Sequence, residues 1–132
     1  MPTITVVTKN SVREYIPPGQ AVKLGDQVFF TDDLVNDQGE MVGSRSGFCT
    51  RVRITPGDAP DPRTHECQAT YTLPPQGRIT TRGLANLPLA VGVATRTAIT
   101  GGTDNYANAR GQVTVTQLTA DGPLRLVIDI VL

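Results

Sequence analysis

Histidine occurs once and cysteine only twice in the 132 residues. A single His65 offers no imidazole cluster, and Cys49 and Cys67 are too few and too far apart for a disulfide scaffold or a zinc knuckle, so no metal site is expected. A Ser-His-Asp or Cys-His nucleophile system would have to be built on His65, which sits beside Glu66 in a polar stretch and reads as a solvated strand-end residue. Charge of either sign also lacks an excess. Twelve Lys plus Arg balance twelve Asp plus Glu, which removes the electrostatic case for a nucleic-acid or anionic-membrane partner. No apolar run approaches the roughly 20 residues of a membrane span. The opening "MPTITVVTKN" lacks the basic stretch followed by a hydrophobic segment that marks a secretory signal. The expectation is a soluble, cytoplasmic chain with no membrane and no nucleic-acid partner.

What the chain has in quantity is glycine and proline, 13 and 10 residues scattered along its length. That spread breaks helices and suits turns between short strands. The length fits one domain, residues 1–132, around one core. Alternating or β-branched runs predict eight strands: 3–8, 27–32, 42–54, 65–73, 77–83, 95–100, 111–118 and 124–132. Turn signals such as "NDQGE", "PPQG" and "TADGP" separate them. Eight short antiparallel strands expose two edges unless the sheet closes, which predicts an all-β, eight-stranded antiparallel closed β-barrel whose interior is filled or holds one small ligand. On the last strand Leu124, Leu126, Ile128, Ile130 and Leu132 share one face.

Between the sixth and seventh predicted strands lies "AITGGTDNYANARGQV". Gly101 and Gly102 can take positive φ or admit another backbone, and Gly111 can start the next strand after a reversal. The segment is neither GxGxxG nor GxxxxGK[ST], and no helix follows it, which argues against a phosphate cradle. The corner resembles the Gly-Gly-Ser/Thr-Gly-x-Phe/Tyr-x-x-Ala-x-Gly corner of the allene oxide cyclase and dirigent protein superfamily. "LGDQVFFTDDLVNDQGEMVGSRSGFC" is similar to the cyclases' Gly-Asp-x-Val-x-Phe-Thr-Asn-x-Leu strand and later Gly-x-Cys, and its Asp32-Asp33-Leu34 resembles the dirigent Asp-Asp-Pro-Leu. "ECQATYTLPPQGRITTRG" is similar to the intervening strand pair. Together these blocks span roughly residues 24–118.

The resemblance implies an allene oxide cyclase-like or dirigent-like barrel, assembled as a homo-oligomer (dimer or trimer), with a pocket inside one end. It implies a small hydrophobic substrate and no cofactor. By position, Asp32 falls where the plant cyclases have a pocket asparagine, Cys49 where they have a pocket cysteine and Cys67 where they have a pocket aromatic. A desolvated Asp32 would serve as proton donor or base; the alternative is that it only closes an Asx turn. The two-residue strand period puts Arg45, Gly47, Cys49 and Arg51 on one face. It likewise groups Cys67, Ala69, Tyr71 and Leu73, and Val28, Phe30 and Asp32; Thr81 joins them as a lining residue. Both cysteines are expected to act as small hydrophobes. An inward Arg45 or Arg51 must meet an acid such as Asp32 or bind a ligand oxygen, unless the strand twists it to the rim.

The first strand carries no acidic residue before Glu14, Ala85 stands where the cyclases have a later pocket tyrosine, and Asp-Asp-Pro-Leu lacks its proline. Neither allene oxide cyclase activity nor plant dirigent activity is therefore expected. The resemblance then implies a bacterial-type, cofactor-independent cyclase or isomerase of natural-product, polyketide-type biosynthesis. Asp32, Arg45 and Tyr71 would be its catalytic residues, acting in a Diels–Alder or oxygen-heterocycle closure. The alternative is a non-catalytic or stereo-guiding ligand-binding barrel.

Overall fold

A computed structural model describes residues 3–18, 23–53 and 63–132. Eight strands form a closed barrel in sequence order: β1 (Thr3–Ile16), β2 (Gln27–Val35), β3 (Met41–Arg51), β4 (Thr64–Leu73), β5 (Gly77–Asn86), β6 (Ala94–Gly102), β7 (Arg110–Gln117) and β8 (Leu124–Val131). Every neighbouring pair is antiparallel, and β8 returns to β1 through Thr3↔Asp129 to Val7↔Arg125. The only helix among the described residues is a short 3₁₀ turn, Asp104–Tyr106. Closure satisfies both edges of the sheet, as the count of short strands required.

Alternation sets the inside. On β8, Leu124, Leu126, Ile128 and Ile130 are buried while Arg125 faces out. Leu132 does not belong to that stripe: it follows the end of β8 and is exposed, because the ladder to β7 and β1 has ended. Val6, Leu34, Leu73, Ile79, Ile99 and Ile130 pack with Tyr106 and Ala109 into a core at one end of the barrel. The glycine corner closes that end. Thr103 N donates to Arg78 O and Asn105 N to Gln76 O, so the 3₁₀ turn folds over the β4–β5 hairpin and brings Tyr106 into the core. Gly102 permits the turn because a Cβ there would lie 2.4 Å from Tyr106 O and 2.5 Å from Arg78 O.

β1 is longer than the sequence predicts. It continues past Thr8 through a bulge, where the register to β2 shifts between Lys9 and Val12 and Asn10 takes φ 53°. Asparagine tolerates that left-handed conformation better than most residues. The bulge reverses the phase of the strand: Val6 and Thr8 are buried before it, and Arg13 and Tyr15 face the lumen after it. The extra residue also delivers Ser11 Oγ to Asp32 Oδ1, and Asn10 Nδ2 donates to Asp33 Oδ2 (2.9 Å) on the opposite face.

The cysteines depart from expectation. Cys49 and Cys67 are direct partners on β3 and β4, with Cα atoms 4.0 Å apart, and they form a disulfide. Both take the inward rows expected of them, but the β3–β4 hairpin sets them directly opposite across their 18-residue separation, so they are bonded rather than packed as separate small hydrophobes. A loop of that size constrains the unfolded chain by about 3 kcal/mol in the chain-entropy account. Disulfides persist in oxidising compartments, so the pair weighs against the cytoplasmic expectation. Among the described residues no helix is long and apolar enough to cross a membrane.

Candidate functional site: the barrel lumen

The core fills only one end of the barrel. Beyond it, a cavity of about 600 Å³ runs toward the opposite end, where the β5–β6 connection contributes Leu87, Pro88, Leu89 and Val91 to its wall. Strand register resolves the β3–β4 side of this lumen into successive pairs: Arg45↔Tyr71, Gly47↔Ala69, Cys49↔Cys67 and Arg51↔His65. Polar pairs stand at both ends, with small residues and the disulfide between them. Six residues of strand separate Arg45 from Arg51, so the two poles lie about 20 Å apart along β3.

At the inner pole Arg45 is buried and bound to Asp32, with Nε donating to Oδ2 at 2.7 Å and Nη2 at 2.6 Å from the same oxygen. Ser11 Oγ donates to the other carboxylate oxygen, Asp32 Oδ1, and the guanidinium carbon of Arg45 lies 4.5 Å over the Phe30 ring. The acid therefore neutralises the arginine, and two partners hold it in place. Tyr71 is almost wholly buried. Burial pushes its phenol above the ordinary tyrosine range, while the charge and hydrogen bond of Arg45 pull it part of the way back and Asp32 adds a small upward push. At neutral pH it is a neutral hydroxyl. Its oxygen accepts from Arg45, which leaves its proton to donate elsewhere.

The outer pole contains the residue that sequence reasoning set aside. His65 is not a solvated strand end: it lies inside β4, is 2% exposed and lines the lumen. The local pattern "THECQATYTL" alternates, and His65 shares the phase of Cys67 and Tyr71. That was the signal that could have found it. Its Nδ1 lies 2.7 Å from Arg63 O; a carbonyl only accepts, so Nδ1 carries the hydrogen and Nε2 bears a lone pair. Desolvation lowers its pKa below 6.5; the Arg63 carbonyl bond opposes this, and the charges of Arg51 and Arg63 add to the lowering. Because the unfolded chain takes up the proton first as pH falls, this group's contribution to stability is lost from about pH 6.5 down through the folded pKa. As the molecule has one histidine, a proton NMR titration reads it directly. The expected midpoint is below 6.5; a midpoint at or above it would contradict this environment.

The remaining predicted residues divide by position. Val28, Phe30, Arg45, Cys49, Arg51, Cys67, Ala69, Tyr71 and Thr81 all line the lumen. Asp32 does not: it sits behind Arg45, with its side chain 1% exposed. Leu73 packs into the closed-end core, one step beyond Tyr71 on β4. Two further wall residues were not anticipated. Gln117 donates from Nε2 to Thr119 O (2.8 Å) and Gly122 O (2.7 Å), which leaves Oε1 as an acceptor. Thr97 Oγ1 is buried with no hydrogen-bond partner among the described residues. No group of three or more metal-ligating side chains occurs among the described residues. A second, shallower concavity of about 710 Å³ lies mainly on the outer face, around Val12, Phe29 and Phe48, and lacks any comparable set of buried polar groups.

The chain is thus an antiparallel eight-stranded barrel plugged at one end, with an ion-paired arginine and a neutral phenol at the bottom of an open lumen. The chain belongs to the allene oxide cyclase barrel-like domain family, whose sequence profile matches residues 3–132. Among solved structures it is similar to a pyocyanin demethylase, at 30% identity over 98% of this chain and 99% of that one, with a TM-score of 0.75. It also resembles the Diels–Alderase AbmU from Streptomyces koyangensis (18% identity, 98% and 69% of the two chains, TM-score 0.73). A third is the pterocarpan synthase dirigent protein GePTS1 (17% identity, 98% and 87%, TM-score 0.70). The last two likenesses concern the fold alone. No curated protein sequence matches the chain.

Proposed function

We propose that the protein is a cofactor-independent cyclase or isomerase that folds a largely apolar substrate inside the lumen and polarises one of its oxygens at the inner pole. The observation that carries this reading is the placement of the Arg45–Tyr71 pair at the inner end of a deep cavity, next to a stretch of wall that includes Val28, Ala69 and the disulfide. Ring closure costs much orientational entropy, and holding the reacting ends together removes several kcal/mol of barrier before any group acts. Tyr71 donates its free proton to a carbonyl or enol oxygen, and Arg45 stabilises the negative charge that develops there. Asp32 is a positioning residue in this scheme, since it fixes the guanidinium and does not reach the lumen.

A second reading, demethylation, is favoured by the 30% identity to a structure of that name. Both readings differ from a carrier in turning over. Incubation with a panel of linear unsaturated carbonyl compounds and, separately, with pyocyanin, the compound in the name of that structure, followed by mass spectrometry, separates them. A product of unchanged mass formed beyond one equivalent supports the cyclase, and loss of a CH₂ mass supports demethylation. Stoichiometric binding without a new product would leave a carrier. For the cyclase, Tyr71→Phe is expected to lower turnover by about 10²-fold, the effect of removing one oxyanion donor. Unchanged turnover would remove Tyr71 from the mechanism.

A further inference from the structure

The two poles of the lumen differ in hydrogen-bonding character, because the outer one sets two oriented acceptors among the guanidinium groups of Arg13, Arg51 and Arg63. At the inner pole the groups that face a ligand donate: Tyr71 O–H and the Arg45 guanidinium. At the outer pole the His65 tautomer is set by Arg63 O, which leaves Nε2 as an acceptor. Gln117, at the same open end, has its amide nitrogen committed to two carbonyls of the β7–β8 turn and so presents Oε1, also an acceptor. Between the poles the wall includes Ala69, Val28, the disulfide and Val115, together with the hydroxyl-bearing Thr81, Thr95 and Thr97; Thr97 Oγ1 has no hydrogen-bond partner among the described residues. Two oriented acceptors at one end and a free phenol proton at the other are the marks of a cavity shaped around a polar-ended ligand rather than a hydrocarbon.

We infer that the lumen recognises an elongated hydroxy-carbonyl compound, with its carbonyl oxygen at Arg45 and Tyr71 and a neutral hydroxyl donating to His65 Nε2, joined by an apolar chain. This assignment rests on the inner-pole reading given above and adds the far end of the substrate to it. The donor is a hydroxyl rather than an ammonium because Arg13, Arg51 and Arg63 line the same end of the cavity and the positive charges of Arg51 and Arg63 act on His65 itself; among the described residues Asp121 is the one acid lining that end. A hydroxyl fits where a carboxylate does not, because only a group that keeps a proton can donate to Nε2 or Gln117 Oε1 while its oxygen still accepts from a guanidinium at that end. Burial and the neighbouring guanidinium groups keep His65 neutral near pH 7, so the lone pair persists there.

Calorimetric titration at neutral pH with four matched probes tests this. The probes are a straight-chain methyl ketone of about twelve carbons, chosen to approach the separation of the poles, and three derivatives bearing a terminal hydroxyl, methyl ether or carboxylate. The hydroxy ketone is expected to bind about five- to tenfold tighter than its methyl ether, the worth of one buried hydrogen bond. His65→Phe erases that ratio and His65→Gln, which keeps an acceptor, restores part of it. Tyr71→Phe weakens all four probes alike and leaves the ratio intact. Equal affinity of the hydroxyl and ether probes for the wild-type protein, tightest binding by the carboxylate, or a ratio that survives His65→Phe would each overturn the inference. The wild-type comparison decides even where the phenylalanine variant does not fold. If the plain ketone binds but the hydroxyl adds nothing, the inference fails while the inner-pole reading stands. If no probe binds, the lumen reading fails and this inference with it.

Discussion

Asp32→Ala is expected to lower the stability of the barrel by about 3–5 kcal/mol, because it strands the Arg45 guanidinium in the closed half of the lumen without its counter-ion. For a domain of this size that is a fall in melting temperature on the order of 10–20 °C. The loss comes from the orphaned charge and not from the value of the pair itself, which must recover its own desolvation before it contributes anything. A double variant, Asp32→Leu with Arg45→Met, removes both charges and is expected to recover most of the stability while abolishing polarisation at the inner pole. Asp33→Asn alters an outward group bound to Asn10 and is expected to change little. Thermal unfolding of the four proteins decides the matter. If Asp32→Ala melts with the wild type, or if the double variant is no more stable than the single one, the ion pair does not hold the site as described.

The architecture was legible because it depends on local signals. Strand-length alternation, evenly spaced Pro, Gly and Asp turns, and the need to close a sheet's edges each point to the same barrel, and all eight predicted strands appear. Much of the lumen wall followed from the two-residue period on β3 and β4, where long regular ladders keep the phase constant. Deviations from that period were not legible. The bulge at Asn10 and Ser11 is a single inserted residue whose effect appears only against a partner strand, so the delivery of Ser11 to Asp32 had no sequence signature.

The same limit hid the outer pole. A lone histidine between threonine and glutamate resembles a surface residue, since polarity at neighbouring positions is a cue for exposure. Glu66 does face outward and pairs with Arg82. His65, one position away, faces in: it shares the phase of Cys67 and Tyr71 along β4, and the register Arg51↔His65 and Cys49↔Cys67 carries that phase into the lumen. The disulfide was missed for a related reason. Sequence separation was weighed where cross-strand separation decides, and the residues become opposite partners only after β3 and β4 pair. Asp32 illustrates the converse: its inward phase followed from the sequence, yet the length of the Arg45 side chain places the guanidinium in the lumen and the carboxylate behind it.

The corner that closes the barrel separates its glycines by function, and substitution should expose the difference. Gly111→Ala is expected to prevent folding or to cost more than about 4 kcal/mol, a loss large against the marginal stability of a domain. Gly111 holds φ +124°, and a Cβ would lie 2.1 Å from Asp129 O on β8, a backbone atom that cannot turn aside. Relief would require β7 and β8 to separate at the pairing of Gly111 with Ile130, which opens the core around Ile130 and Ala109. Gly101→Ala, ten residues earlier in the same motif, is expected to be nearly neutral. It has no positive φ, and the nearest atom to its Cβ is Thr80 Oγ1 at 3.8 Å. The pair in "GGT" that the sequence presents as equivalent is thus divided: Gly102 is needed for close approach and Gly101 is not. Circular dichroism and thermal melts of the two alanine variants test the division. A folded, wild-type-like Gly111→Ala protein would mean that the β7–β8 contact is looser than the geometry requires, and an unfolded Gly101→Ala protein would mean that the corner's first glycine bears a constraint absent from its backbone and surroundings.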